Sequence, residues 1–388
     1  MGQGDSNAPD KGPARSPRLA SLDAFRGATI GAMILVNNPG SWSAVYPPLR
    51  HAAWHGCTPT DLIFPFFLFI VGAAMAFSLP RHLEGGRPGA AFWGRVLRRV
   101  GLLIALGLLL NGFMPAWNAL ASWDWSVARD QWASVRFPGV LQRIGLVYLL
   151  ACMLAAFAQV RWQAAICAGV LIAYPLSLWL FNRTDPFSET ENLVRWFDRA
   201  IIPEGHLYRG SPTDPEGLLS TLPALVSTMI GYWCGLVVRS RAVTRGLCVQ
   251  LILSGAAVAG VGWAASWTVP LIKPLWTSSH VLFTGGWAVA GLGLFLLAFD
   301  LWKLPSRGAF VLLGRHAITV FVGSGILARI LILVPGPGSH PTVKAWITSG
   351  LDAVLSPLNA SLVFAVLTVG LWWLIAWGLD RAGIVLKV

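Results

Sequence analysis

Ten stretches of this 388-residue chain are apolar and long enough to cross a lipid bilayer, which takes about 20 residues in helical form. They cover roughly 22–38, 61–79, 97–114, 138–159, 163–181, 217–238, 247–267, 281–300, 309–334 and 359–380. Hydrocarbon offers no partner for a backbone N–H or C=O, so each stretch has to close its hydrogen bonds within itself as an α-helix. The expected fold class is therefore all-α: a polytopic membrane protein with about ten transmembrane helices. Composition agrees, with 55% hydrophobic and 12% charged residues. Soluble domains have about 45–50% apolar and about 25% charged residues. A cytosolic enzyme, a disordered chain and a disulfide scaffold are excluded. Twenty tryptophans and 41 glycines suit interfacial anchoring and close helix packing.

The formal net charge of +12 does not indicate a nucleic-acid partner, because the basic residues are scattered between apolar runs and form no single basic face. Their distribution instead encodes topology. Sixteen Lys and Arg lie in or beside the tail, the even-numbered loops and the C-terminus, and nine lie in the odd-numbered loops beside ten acids. Both termini are thus expected in the cytoplasm. Residues 1–18 read as a disordered cytoplasmic tail without the apolar core of a cleaved signal, and 19–388 as one transmembrane domain. The ninth stretch is long enough to tilt or break. After it, Val343, Trp346, Ile347, Leu351, Val354 and Leu355 recur at helical spacing, as in a helix lying on the membrane. The five cysteines read as small buried hydrophobes.

Ionisable residues inside spans are functional candidates by default. Asp23 and Arg26 open the first span, spaced also for a plain i,i+3 ion pair. Asn37 closes that span and Asp61 opens the second. Gln142 and Arg143 lie in the fourth, and Arg315, His316 and Arg329 in the ninth. Arg143 has no acid near it in sequence, so its partner has to come from another helix or from an anionic ligand. The densest chemistry is the first outer loop, Asn37 to Asp61, with His51 and His55 four apart. Three readings stay open: zinc held by the two histidines and Asp61, histidines hydrogen-bonded at the headgroup level, and a general base oriented by Asp61 or an asparagine. Gly56 and Pro59 interrupt any helix there, and no HExxH motif is present, which weighs against metal.

Six blocks, in order over residues 18–330, give the chain a strong resemblance to the heparan-α-glucosaminide N-acetyltransferase family. They are Ser21-Leu22-Asp23-Ala24-Phe25-Arg26-Gly27 with Val36-Asn37-Asn38-Pro39-Gly40; His51-Ala52-Ala53-Trp54-His55-Gly56; Asp61-Leu62-Ile63-Phe64-Pro65-Phe66-Phe67; Pro138-Gly139-Val140-Leu141-Gln142-Arg143; Asp214-Pro215-Glu216-Gly217-Leu218; and Lys273-Pro274-Leu275-Trp276-Thr277. The resemblance implies a transmembrane acyltransferase that takes acetyl from cytosolic acetyl-CoA and delivers it to a terminal glucosamine amine on the far side. Its bacterial branch implies the inner membrane, acetyl-CoA and an amino sugar as ligands, lipid as surroundings and no metal, with a homodimer left open. The family's catalytic histidine falls on His51, whereas His55 departs from the asparagine of the lysosomal enzyme.

On this reading the catalytic set is His51, Asp61 and Asn37. His51 serves as base or as acetyl acceptor, and Asn37 donates to the thioester oxygen. Arg26, with Asp23, and Arg315 serve the donor's phosphates. Arg143, Gln142, Lys273 and Trp276 serve the donor nearer the reacting end. Asp214, Glu216 and Trp54 are the expected sugar contacts, although Asp214 and Glu216 also fit a cap at the start of the sixth span. Two other readings compete: a sugar transporter without chemistry, and an O-acyltransferase of envelope polysaccharide.

Overall fold

The structure is a computed structural model describing residues 19–79, 88–122, 125–305 and 308–386; the tail expected over 1–18 lies outside the described residues. Fourteen α-helices are present among the described residues, and no strand. They are α1 (Ala20–Asn37), α2 (Ile63–Ser78), α3 (Ala90–Ser122), α4 (Trp125–Trp132), α5 (Val140–Phe157), α6 (Val160–Phe181), α7 (Leu193–Ile201), α8 (Thr221–Ser240), α9 (Arg245–Ala265), α10 (Ser278–Phe295), α11 (Ala309–Arg315), α12 (Ala317–Leu333), α13 (Val343–Asp352) and α14 (Pro357–Arg381).

Among the described residues, eight helices are long and apolar enough to span a membrane, or nine if α11 and α12 count as one bent span. Of the ten expected stretches, the first is not in this set and the ninth enters it only as the bent pair. The first stretch forms α1, which carries Asp23, Arg26 and Asn37 within 18 residues and is less apolar than its neighbours. It packs against α2, α10, α11, α12 and α14, and most of its residues are buried. A helix enclosed by protein is not required to match lipid, so its polar groups need only suit one another. The ninth stretch breaks, with α11 and α12 meeting at His316 at 86°.

Small residues set the closest crossings, where backbones touch without side chains between them. A Cβ on Gly27 of α1 would sit 1.6 Å from the Phe310 carbonyl oxygen of α11, and one on Gly314 would sit 1.8 Å from that of Asp23. This contact binds the short arm of the broken span to α1. The amphipathic stretch expected after the ninth span forms α13, a separate ten-residue helix. Several connections gather on a smaller core of Trp54, Tyr174, Leu178, Val194, Ile272 and Leu275. This core holds the 38–62 loop against the segment that precedes α10.

Candidate active site

The loop after α1 is fixed at both ends and in the middle. Asn38 Nδ2 donates to the Ile34 carbonyl at 2.8 Å and closes α1. Gly40 N–H then donates to the Ser361 carbonyl of α14 at 3.1 Å. Further on, Gly56 adopts φ +104°, a left-handed conformation in which a side chain would be strained. Its N–H reaches the Leu271 carbonyl at 2.8 Å, pinning the loop to the segment that carries Lys273. Thr58 opens a short 3₁₀ turn, Pro59–Leu62, with a reciprocal capping box to Asp61, and this turn leads straight into α2.

These restraints bring three ionisable groups together. His51 Nδ1 lies 2.6 Å from Asp61 Oδ1. Lys273 Nζ lies 3.3 Å from the same oxygen and 3.1 Å from His51 Nδ1. Asp61 Oδ2 accepts the Ala52 and Thr58 N–H groups at 3.0 and 3.1 Å. A carboxylate only accepts, so the proton belongs on His51 Nδ1, and the Lys273 ammonium donates to Asp61. That leaves the Nε2 lone pair of His51 available. The exposures fit this division, because the Asp61 side chain is 2% exposed and that of His51 is 53% exposed. Asp61 is an anchored orienter, and His51 is the exposed member of the pair.

The triad borders a cavity of about 180 Å³ lined by Asn37, His51, Phe64, Phe67, Glu216 and Lys273, among others. A second cavity, of about 340 Å³, shares Met33, Asn37, Val140 and Phe321 with the first and extends to Asn111, Arg136, Gln142 and Arg329. Glu216 lines the first cavity and Arg136 the second, and Arg136 pairs with both Glu216 and buried Asp214. Arg136 Nε donates to Asp214 Oδ2 at 3.1 Å, and its terminal nitrogen also bonds Asp214 and Glu216. Asp214 further accepts the Tyr208 and Glu216 N–H groups at 2.8 and 2.9 Å. Burial works against the charge on Arg136, but Glu216 and Asp214 outweigh it and push its pKa above the ordinary guanidinium value.

Other expected residues lie behind the cavity wall. Arg143 is 1% exposed. It donates to the Gly217 carbonyl at 2.7 Å and to Ser220 Oγ, with its guanidinium 5.2 Å from the Trp276 ring centroid. Trp276 is fully buried and donates from Nε1 to Ser227 Oγ at 3.2 Å. Its ring meets that of Phe64 edge-on at 5.3 Å, so the pair Arg143 and Trp276 supports a cavity wall from outside. Trp54 donates to the Phe187 carbonyl at 2.9 Å within the smaller core. Asp23 and Arg26 pair at 3.1 Å, and Arg315 pairs with Asp380 at 3.3 Å. Both pairs lie toward the other end of α1, since Arg26 precedes Asn37 by about 16 Å of helix rise. Neither cavity is lined by Arg26 or Arg315.

His55 is exposed, and among the described residues no three His, Cys, Asp or Glu side chains converge as a metal site requires. Sequence reasoning gave no role to Arg136, Asn111 or Asp380. Arg136 sits in a connection between apolar stretches like any solvated arginine, and its acidic partners lie 78 and 80 positions away.

Comparison with known proteins identifies the relatives of this arrangement. The family described as "Heparan-alpha-glucosaminide N-acetyltransferase, catalytic" matches residues 18–250. The human protein named heparan-alpha-glucosaminide N-acetyltransferase is 27% identical over 367 residues, covering 80% of this chain and 53% of its own length. The mouse protein of the same name is 25% identical over 374 residues, covering 82% and 55%. The chain thus spans about half the length of the curated relatives it matches.

Proposed function

The chain belongs to the heparan-α-glucosaminide N-acetyltransferase family, and from that premise we propose that it is a membrane-embedded acetyltransferase. Its donor is acetyl-CoA, and its acceptor is the amine of glucosamine or of a glucosamine-ended saccharide. The observation that carries this reading is His51, held through Nδ1 by buried Asp61 at 2.6 Å and lining a cavity. Amide formation from a thioester needs an unprotonated amine, and an imidazole nitrogen is the side-chain base suited to neutral pH.

In this mechanism the amine attacks the thioester carbonyl while His51 Nε2 takes its proton. The C–N bond forms, the C–S bond breaks, and the sulfur leaves with the electron pair and collects the proton from His51. Transfer through an acetylated Nε2 uses the same nitrogen, so either order makes the same demand on the protein. Asn37 lines both cavities and supplies an amide donor for the developing oxyanion. Lys273 balances the Asp61 carboxylate, so the imidazole works beside a paired acid rather than a bare one. Glu216, on the cavity wall, attracts the sugar ammonium. Arg26 and Arg315 receive the donor's phosphates at the other end of α1. With the basic bias of the loops, that end is the cytoplasmic face of a bacterial inner membrane, and His51 faces outward.

The test is acetyl-CoA and glucosamine mixed with the purified chain in detergent, reading CoA thiol release and N-acetylglucosamine by mass spectrometry. His51→Ala should lower turnover by about 10²–10⁴-fold, the range for a lost general base, with the thermal melt unchanged. Vesicles that take up the sugar but release no CoA would support the transporter reading instead.

A further inference from the structure

The larger cavity holds a cation that the proposed chemistry does not use. Arg329 lies on α12, within two turns of its end at Leu333, half-buried against the cavity. Its guanidinium donates to the Gly325 carbonyl of its own helix at 2.9 Å, a contact that leaves its charge unneutralised. Among the described residues no carboxylate pairs with it, and Glu216, on the adjoining cavity, is bonded to Arg136 together with Asp214. A half-buried guanidinium lining a cavity between membrane helices, with no carboxylate beside it, is complementary to an anion.

A second donor borders the same space. Gln142 is 6% exposed and lines the cavity, and its Nε2 has no hydrogen-bond partner. Its position is tightly constrained, since a Cβ on Gly107 would lie 2.1 Å from Gln142 Oε1 and one on Gly139 would lie 2.6 Å from it. The two glycines leave room for the amide, which is otherwise unsatisfied. Buried amides seldom go without an acceptor. An unneutralised guanidinium and an unsatisfied amide N–H on one cavity are complementary to an oxyanion.

We propose that the Arg329–Gln142 cavity is a subsite for an anionic substituent on the acceptor sugar, a phosphate or a carboxylate bound beside the amine that His51 serves. This rests on the acetyltransferase reading. The acceptor is assigned the anion, rather than the donor, because the cavity adjoins the His51 cavity, whereas the long pantetheine arm holds the CoA phosphates far from the reacting sulfur. The four residues shared by the cavities give one sugar a continuous bed, with its amine at His51 and its anion at Arg329.

The experiment compares glucosamine, glucosamine 6-phosphate and muramic acid as acceptors for the full chain in detergent. The same three ligands are then titrated calorimetrically without acetyl-CoA. At least one acidic sugar should exceed glucosamine in kcat/KM and in affinity by about tenfold or more, the worth of a charge-assisted bond. The favoured sugar then tells phosphate from carboxylate. Arg329→Gln should collapse that ratio, Arg329→Lys should keep part of it, and Gln142→Leu should reduce it with the cationic residue intact. Equal losses on acidic and neutral sugars, no preference in the native chain, or a loss of acetyl-CoA affinity in Arg329→Gln would each overturn the subsite. If no sugar is acetylated, the titrations still decide. An anion-dependent affinity that Arg329→Gln removes upholds the subsite while the chemistry fails, and equal affinities sink it.

Discussion

Asp61 does more than orient a histidine. One oxygen accepts His51 Nδ1 and the Lys273 ammonium, and the other closes the turn that starts α2 through the Ala52 and Thr58 N–H groups. Asp61→Asn keeps the shape but turns one acceptor into a donor, which faces the His51 Nδ1 proton or forces the other tautomer. Turnover should therefore fall by at least about 10²-fold, with an altered pH–rate profile and with acetyl-CoA affinity retained. His55→Asn should change turnover by less than about threefold, because that ring is exposed and stands outside the triad. Kinetics on the two variants side by side check both statements. Part of this site was legible from residue type, as with His51, Asp61 and Arg143, whereas Lys273 and Trp276 were legible only through the family blocks. His51, Asp61 and Lys273 were all singled out, and the 222 positions between Lys273 and His51 hid only their meeting. Arg143 was legible as unusual and Trp276 by resemblance, yet their location behind Phe64 depends on helix packing that no local pattern encodes. Arg136 gave no local signal at all, since its meaning lies in Asp214 and Glu216.

At the scale of elements, α7 clamps the entrance of α8. Asp198 of α7 is buried, and its Oδ1 accepts the Leu218 and Leu219 N–H groups at 2.9 and 3.2 Å. Burial pushes this carboxyl up to about 6, against those bonds and the nearby Arg143. A carboxyl with a raised pKa in the fold holds its proton more tightly there than in the unfolded chain, so its stabilisation is full in acid. It is lost as pH rises from about 4, the ordinary carboxylate value, through about 6. The thermal midpoint should fall by roughly a few degrees across that window. Asp198→Asn should flatten the slope, and an unchanged slope in the variant would assign it to another group. Elements were the most legible level, because apolar length alone demands a helix in lipid. The exceptions share one cause. The first stretch reads as a span by its length, yet α1 is less apolar than its neighbours because protein encloses it, and the ninth stretch, long enough to break, does so at His316, where α11 packs onto Gly27.

At the scale of the whole molecule, the orientation expected from the basic bias of the loops is one that thiol chemistry can read. Cys57 lies in the loop after α1, but burial, and after it the neighbouring Asp61, push its thiol up to about 12, so little of it is thiolate at neutral pH. It should react slowly with an impermeant maleimide even if it faces the reagent. Ser43, exposed on the same loop, is the better reporter. Ser43→Cys in a cysteine-free background should label in intact spheroplasts, and labelling only after lysis would reverse the topology. The central claim is that acetyl crosses from a donor at one face to an acceptor at the other through His51. Sealed proteoliposomes of one orientation, with acetyl-CoA on the cytoplasmic side and glucosamine on the opposite side, test this directly. The account predicts free CoA in the donor compartment, N-acetylglucosamine in the acceptor compartment, and neither with His51→Ala. Product formed only when both substrates share one compartment, or formed equally by His51→Ala, would contradict it.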